Sequence, residues 1–216
     1  MVAARPIGGA GRGTGPPGHC LTRSTDPGHS GETGLVHAAA GGVGLLLTQV
    51  LTAQGVRVIA TTSSEDKAAL AREAGAAEVI RYDKEDVASE VSRLTDGHRV
   101  DVVYDGVGRA TFDGSINSLR PRGMFVLYGA ASGPVAPLDP QLLNSKGSLF
   151  FTRPTLGHYV ATRDELLQRS RELFEWVASG ALSVRVGARY TLDQARQAHE
   201  DLESRRTTGK SLIIPG

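Results

Sequence analysis

The chain has 216 residues, of which 24 are basic and 23 acidic, so its formal net charge is +1. This balance provides no basic field of the kind that holds nucleic acid or an anionic membrane, and we expect neither as a partner. A single cysteine, Cys20, excludes a disulfide framework and a cysteine-rich zinc site, and it predicts a reducing, cytoplasmic location. No apolar run reaches the length of a membrane span.

The first part of the chain differs in composition from the rest. Residues 1–18 are rich in glycine and proline and carry few apolar side chains. Such a segment cannot bury enough surface to offset the entropy of ordering it. We therefore predict that residues 1–34 are disordered or form a loose linker, and that the first domain begins at Leu35.

A short apolar stretch, a glycine turn and an apolar helix follow one another from Leu35 onward. The turn, Ala39-x-Gly41-x-x-Gly44, is a G-x-G-x-x-G motif with alanine in its first position. Ala39 permits the tight turn, Gly41 lets backbone N–H groups approach phosphates, and Gly44 lets the helix pack closely on the strand. The helix N-terminus offers free donors and a partial positive charge to an anion. The unit therefore predicts a site for the pyrophosphate of a dinucleotide.

The end of the second predicted strand bears on which dinucleotide binds. An NAD site usually carries an acid there, on the ribose 2′-OH. Here the strand runs into Thr61-Thr62-Ser63-Ser64. The Ser63 hydroxyl does not repel a 2′-phosphate, and Lys67 offers a cation to it, which favours NADP over NAD. The alternative is that Ser64 only caps the next helix and Lys67 is a solvated surface lysine.

Strands and helices alternate regularly after the glycine turn. This alternation predicts a parallel, doubly wound α/β sheet that binds its ligand at the carboxyl ends of the strands. The predicted strands are 35–39, 56–61, 78–81, 100–105, 124–129 and 148–151, and the predicted helices are 43–54, 64–73, 86–94, 111–118 and 140–144.

The loops that follow the later strands are small, glycine-bearing or hydroxyl-bearing, as a backbone-lined cofactor cleft requires. They are residues 105–108, 129–133 and 152–155. Asp105, beside Gly106 and Gly108, is expected to accept hydrogen bonds from its own loop rather than to act as a catalytic acid. Six histidines are scattered without metal-ligand spacing, so no metal site is expected.

The last part of the chain has a different pattern. Residues 163–179 are amphipathic and end before Gly180, and a strand at 182–186, a helix at 193–204 and a strand at 211–214 are predicted to follow. The side chains predicted to face the core from the first of these helices are Leu166, Leu167, Leu173, Phe174 and Val177.

Five motifs together carry a resemblance to a known family. The sequence resembles the zinc-free, zeta-crystallin-like quinone oxidoreductases of the medium-chain dehydrogenase/reductase superfamily, from about His19 to Pro215. The motifs are His37-Ala-Ala-Ala-Gly-Gly-Val-Gly44, Val103-Tyr-Asp-Gly-Val-Gly108, Asn144-Ser-Lys-Gly-Ser-Leu149, Thr152-Arg-Pro154 and Leu202-Glu-Ser-Arg-Arg-Thr-Thr-Gly-Lys210.

The resemblance implies a Rossmann fold, NADPH as cofactor, a quinone or related enone as acceptor, no zinc, and a homodimer paired through the edge strand near 148–151. It implies that Gly42 and Val43 touch the pyrophosphate. The 2′-phosphate would be surrounded by Ser63, Lys67, Tyr82 and Arg205. The ribose and nicotinamide would be bordered by Gly106, Val107, Gly129, Ala130, Ala131, Ser132, Phe151, Thr152, Arg153, Pro154 and Thr155.

The sequence departs from the family at its beginning. Family members start with a GroES-like catalytic domain that forms the other wall of the active-site cleft, whereas this chain starts with the glycine- and proline-rich segment. We expect residues 35–155 to be the cofactor domain and residues 156–216 to be a remnant of the catalytic domain, with exposed apolar faces. Two hypotheses follow: an NADPH-dependent oxidoreductase, or a truncated module that binds NADPH without catalysis.

Overall fold

The structure is a computed structural model that describes residues 18–25, 28–204 and 206–215. The predictions for residues 1–17 and for Arg205 lie outside the described residues. Residues 18–25 form a helical segment that ends in a π-helical turn, Leu21–Thr25. The expectation that Cys20 lies in an unstructured part is wrong: Cys20 is buried, and Leu21 packs against Leu47 and Leu51. Burial raises the pKa of the Cys20 thiol.

Six parallel strands form one sheet, in the order β3-β2-β1-β4-β5-β6. This order and the crossover helices confirm the predicted doubly wound, Rossmann-type fold. The strands are β1 Thr33–Val36, β2 Arg57–Thr62, β3 Glu78–Arg81, β4 Val100–Asp105, β5 Leu119–Leu127 and β6 Phe150–Thr152. The helices between and after them are α1 Gly42–Ala53, α2 Glu65–Glu73, α3 Val87–Leu94, α4 Phe112–Ser118, α5 Pro140–Ser145 and α6 Leu156–Tyr159.

Neighbouring residues of each central strand pack into different cores. Leu35 and Val103 belong to one apolar cluster, whereas Val36 and Tyr104, the next residues along the same strands, belong to the other. Since side chains alternate between the two faces of a strand, each cluster fills one face of the sheet. Both faces are therefore covered, as a parallel sheet requires.

Side-chain caps fix several helix starts. The Ser64 hydroxyl accepts from the Lys67 backbone N–H at 3.3 Å, which confirms Ser64 as the cap of α2. Asp86 caps α3 in the same way, from Ser89. Among the described residues, no helix combines the length and the apolar character needed to cross a bilayer.

The C-terminal part consists of α7 Arg163–Ala178, β7 Val186–Thr191, a 3₁₀ turn Leu192–Gln194, α8 Ala195–Glu203 and β8 Lys210–Ile214. Strands β7 and β8 pair in parallel as a separate two-stranded sheet. The predicted strand at 182–186 is wrong, because the strand begins where the prediction ended. Leu182 instead buries its side chain against Leu46 and Val50 of α1.

The predicted core face of α7 is only partly correct. Leu173 is buried and Val177 packs beside it. Leu166, Leu167 and Phe174 are exposed. Helical periodicity placed these side chains on an apolar stripe, but α1 covers only one edge of that stripe.

Candidate dinucleotide-binding cleft

The glycine turn between β1 and α1 is as tight as its sequence predicts. Ala38 adopts a left-handed conformation with φ of 50°, and the Gly41 N–H donates to the Ala38 carbonyl at 2.9 Å. A Cβ atom on Gly44 would lie 2.6 Å from the Ala38 oxygen and 2.7 Å from the Ala39 Cα. Helix α1 can therefore start this close to β1 only because Gly44 has no side chain. No side chain caps its first turn.

A cleft of about 530 Å³ opens beside this turn, at the carboxyl edge of the sheet. It receives six of the residues predicted to bind the cofactor: Gly41, Ser63, Lys67, Tyr82, Val107 and Ala131. The prediction missed its other lining residues, which are His37, Ala38, Ala40, Thr61, Thr62, Glu85, Asp86, Val87, Ala110, Thr111, Gly114, Leu202 and Thr207. Most of these residues are sequence neighbours of the predicted ones at the ends of strands. Their position next to a predicted strand end was the signal that could have identified them.

One corner of the cleft brings together Ser63, Lys67 and Tyr82. The Lys67 ammonium donates to the Ser63 hydroxyl at 3.3 Å, while its backbone N–H is held by the Ser64 cap. Capping and cleft lining therefore coexist, and they do not exclude each other as the two interpretations of the sequence suggested. Tyr82 is 42% exposed beside them.

Two acids at this corner are turned to backbone donors. Glu85 accepts from the Arg81 N–H at 2.8 Å, and Asp86 accepts from the Ser89 N–H at 2.9 Å. Hydrogen bonding from Ser89 holds the pKa of Asp86 below its ordinary value, so this carboxylate stays ionised as a helix cap. The Ser63–Lys67 pair remains the polar feature suited to an anion.

The loops after β4 and β5 are bonded to each other. Asp105 accepts from the N–H groups of Val107 at 2.7 Å and Gly108 at 3.0 Å, which confirms its predicted role within the loop. The Ser132 N–H donates to the Val107 carbonyl at 2.8 Å. A Cβ on Gly129 would collide with the Gly106 backbone, so glycine allows the two loops to touch.

The other predicted site residues do not line this cleft. Ala39 and Gly44 are buried behind the turn. The Phe151 ring packs into the core, 5.3 Å between centroids from Phe125. Ten further predicted residues, in the turn and near the strand ends, do not line the cleft either. They are Gly42, Val43, Gly106, Gly129, Ala130, Ser132, Thr152, Arg153, Pro154 and Thr155.

The C-terminal segment reaches the glycine turn. The Gly209 N–H donates to the Ala40 carbonyl at 2.9 Å, and Gly41 and Gly209 form an isolated bridge. Leu202 and Thr207 close the cleft from this side. The cleft is therefore built by both parts of the chain.

A buried polar network lies beneath the turn. His37 Nδ1 is 3.0 Å from the Thr61 hydroxyl, and His37 Nε2 is 3.0 Å from the Ser115 hydroxyl. The hydroxyls of Ser115 and Thr111 both donate to Asp105 Oδ2, at 2.9 and 2.6 Å. Burial lowers the pKa of His37, against a smaller opposing effect of Asp105, so the imidazole is neutral near pH 7.

Known proteins share this architecture and much of this sequence. The zinc-binding dehydrogenase family model matches residues 42–179. A quinone oxidoreductase of Salmonella typhimurium is 48% identical over 197 residues, which cover 90% of this chain and 60% of the relative. The Escherichia coli quinone oxidoreductase in complex with NADPH is 45% identical with a TM-score of 0.91, covering 94% of this chain and 63% of that one.

A mycobacterial protein solved with NADPH is 48% identical with a TM-score of 0.92, covering 95% of this chain and 63% of that one. The chain thus spans about three fifths of the length of these relatives. The family model alone accounts for more than half of the chain. The chain therefore belongs to the zinc-binding dehydrogenase family, and it resembles quinone oxidoreductases over nine tenths of its length.

Proposed function

We propose that the chain binds NADPH and serves hydride transfer to a quinone or related enone. The observation that carries the proposal is the cleft itself, with a glycine turn at one end and the Ser63–Lys67 pair, in place of an acid, at the other. The NADPH-bound relatives support the choice of cofactor. When bound, NADPH supplies the hydride.

The turn suits a pyrophosphate, because the glycines leave room for a backbone approach and α1 starts without a side-chain cap. Gly42 and Val43 would hold the pyrophosphate with their N–H groups. Ser63, Lys67 and Tyr82, together with Arg205, would hold the 2′-phosphate through hydrogen bonds and positive charge.

The bonded loops after β4 and β5 would orient the ribose and nicotinamide. Their contribution is a fixed backbone surface of Gly106, Val107 and residues 129–132, with residues 151–155 beside it. A fixed backbone surface of this kind holds the nicotinamide in one orientation for hydride transfer. We assign no proton donor. We propose that residues 35–155 form the cofactor-binding domain. Residues 156–216 would belong with the catalytic domain and add Arg205, together with the cleft-lining Leu202 and Thr207, beside the cofactor.

Two finer points belong to the same proposal. The reaction is zinc-independent, as the resemblance to the zinc-free branch implies, and treatment with a chelator is expected to leave turnover unchanged. Within the described residues, no group of three His, Cys, Asp or Glu side chains is placed to hold a metal. The single cysteine also fits a reducing compartment such as the cytoplasm.

A homodimer is proposed through β6, the edge strand of the six-stranded sheet. Phe150 on this strand is 57% exposed, and an apolar side chain on an open edge favours pairing with a second copy. Sedimentation of the wild-type chain should give a dimer and Phe150→Asp a monomer. A monomeric wild type would contradict this point.

The decisive experiment measures binding and turnover separately. The purified chain is titrated with NADPH and with NADH, and oxidation of NADPH is then followed spectroscopically with a small quinone. Tight NADPH binding with quinone-dependent oxidation supports the enzyme. Binding without oxidation selects the second hypothesis, a nucleotide-binding module without catalysis. Absence of binding in a folded chain would contradict both.

A further inference from the structure

The polar network around His37 has no role in the cofactor contacts proposed above. His37 is the first residue of the motif that contains the glycine turn, and its side chain is buried. His37 follows β1, Thr61 lies in β2, Asp105 ends β4 and Ser115 lies in α4, so the network connects three strands of the sheet with a helix packed on it. Burying this many polar groups is costly unless each is hydrogen-bonded.

The hydrogen bonds determine the form of the imidazole. The Ser115 hydroxyl has one proton, which it donates to Asp105. Toward His37 Nε2, at 3.0 Å, Ser115 can therefore only accept, so Nε2 carries the proton. Nδ1 is then the acceptor, and the Thr61 hydroxyl donates to it. With the neutral Nε2–H tautomer, each side chain of the network has a hydrogen-bond partner.

The two ends of the network lie on the two backbone segments that face the cleft. His37 directly precedes the turn of residues 38–41, and its own N–H donates to the Tyr104 carbonyl at 3.0 Å. Asp105, at the far end, holds the N–H groups of Val107 and Gly108. His37, Thr61 and Thr111 themselves border the cleft.

We propose that His37 is a positioning residue for the dinucleotide: through Ser115 and Asp105 it sets the spacing between the glycine turn and the Val107 loop. The inference rests on the proposed function. In this role His37 keeps the glycine turn and the Val107 loop aligned, and it need not touch the cofactor itself.

The test compares the dissociation constant for NADPH with the free energy of unfolding in a set of variants. Ser115→Ala removes the central link, and His37→Leu removes both imidazole bonds. His37→Gln keeps one donor and one acceptor. The matched control is Ser118→Ala, since Ser118 is buried in the same helix and donates to the Gly114 carbonyl at 2.7 Å.

We expect Ser115→Ala and His37→Leu to weaken NADPH binding about tenfold, because each loses a buried hydrogen bond that aligns the site. His37→Gln should recover most of this loss. Ser118→Ala should lower stability but leave the dissociation constant unchanged. If Ser115→Ala and Ser118→Ala affect binding equally, the inference is overturned.

A second readout separates failure of the inference from failure of the proposed function. Nitrogen chemical shifts of the His37 imidazole report its tautomer without any cofactor. A proton on Nδ1 would overturn the network assignment even in a chain that binds NADPH. A wild type with the Nε2–H tautomer that does not bind NADPH would overturn the proposed function, and the inference with it.

Discussion

The six-stranded sheet and the C-terminal part differ in how they bury their apolar side chains. In the sheet, Leu35 and Tyr104 are fully buried because helices cover both faces. In the C-terminal part, Leu192 is 65% exposed and Leu202 60% exposed. A two-stranded sheet with two helices is too small to enclose a core of its own. The comparison shows that the sheet is self-sufficient, whereas the C-terminal part depends on contacts with other surfaces.

The contacts that hold the C-terminal part converge on α1. Leu173 and Leu182 pack against the side of α1. The Gln49 side-chain amide accepts from the Ser183 N–H at 2.8 Å and donates to the Ser183 carbonyl at 3.1 Å. His19 Nε2 lies 2.7 Å from a carboxylate oxygen of Glu172, within hydrogen-bond distance. The helix that starts at the glycine turn therefore supports both parts of the molecule.

The largest effect is expected for Gly44→Val, which would disrupt the close packing of α1 against β1. The new side chain would overlap the backbone of Ala38 and Ala39, and we expect a loss of about 4 kcal/mol in the free energy of unfolding. Urea denaturation measures this. Gly157→Val is the control, since nothing lies within 4 Å of its Cβ position. Equal effects of the two substitutions would contradict the close-packing role of Gly44.

Leu173→Ala tests the attachment of the C-terminal part. It should cost about 3 kcal/mol, because it leaves a cavity between α7 and α1. Leu166→Ala on the same helix should cost less than about 0.5 kcal/mol, since that side chain is 43% exposed. Amide hydrogen exchange should show the loss of protection confined to the C-terminal part. Equal loss in β1 would show that the two parts unfold together.

Lys67→Met tests a contact made by the sheet part alone. Loss of a charge-assisted hydrogen bond costs about 2 kcal/mol, so the dissociation constant for NADPH should rise about 30-fold. The dissociation constant for NADH, which has no 2′-phosphate, should not change. Lys146→Met, which loses a bond to Asn117 away from the cleft, is the control. An equal rise in the dissociation constants for NADPH and NADH would contradict the assignment of Lys67 to the 2′-phosphate.

The smallest effect is expected in the pH dependence of the free energy of unfolding, through the buried His37. Burial holds the pKa of His37 below the unfolded value of about 6.5, so the unfolded chain takes up the proton first as the pH falls. Stability is therefore fully present above this value and is progressively lost as the pH falls below it. His37→Gln should lack this part of the pH dependence. Identical profiles for the two proteins, measured by urea unfolding, would contradict a neutral buried His37.

The sequence predicted the sheet and most C-terminal helices and strands, but it did not predict which C-terminal side chains are buried, for one physical reason. Strand and cap signals are local: the apolar run at β4 and the Ser64 cap act within a few residues. The burial of Leu166 and Phe174 depends on a surface elsewhere, which helical periodicity does not encode. The His37 network escaped prediction because its links to Ser115 and Thr61 form only after the sheet has assembled.

The hydrogen bond from Gly209 to Ala40 also bears on the order in which the chain folds during synthesis. The strands of the large sheet all leave the ribosome before β8, and domains generally fold as they emerge. The turn therefore forms first with one side open to solvent, and β8 covers that side only after it has emerged. A chain cut short before Gly209 would keep the sheet and lose the wall beside the turn.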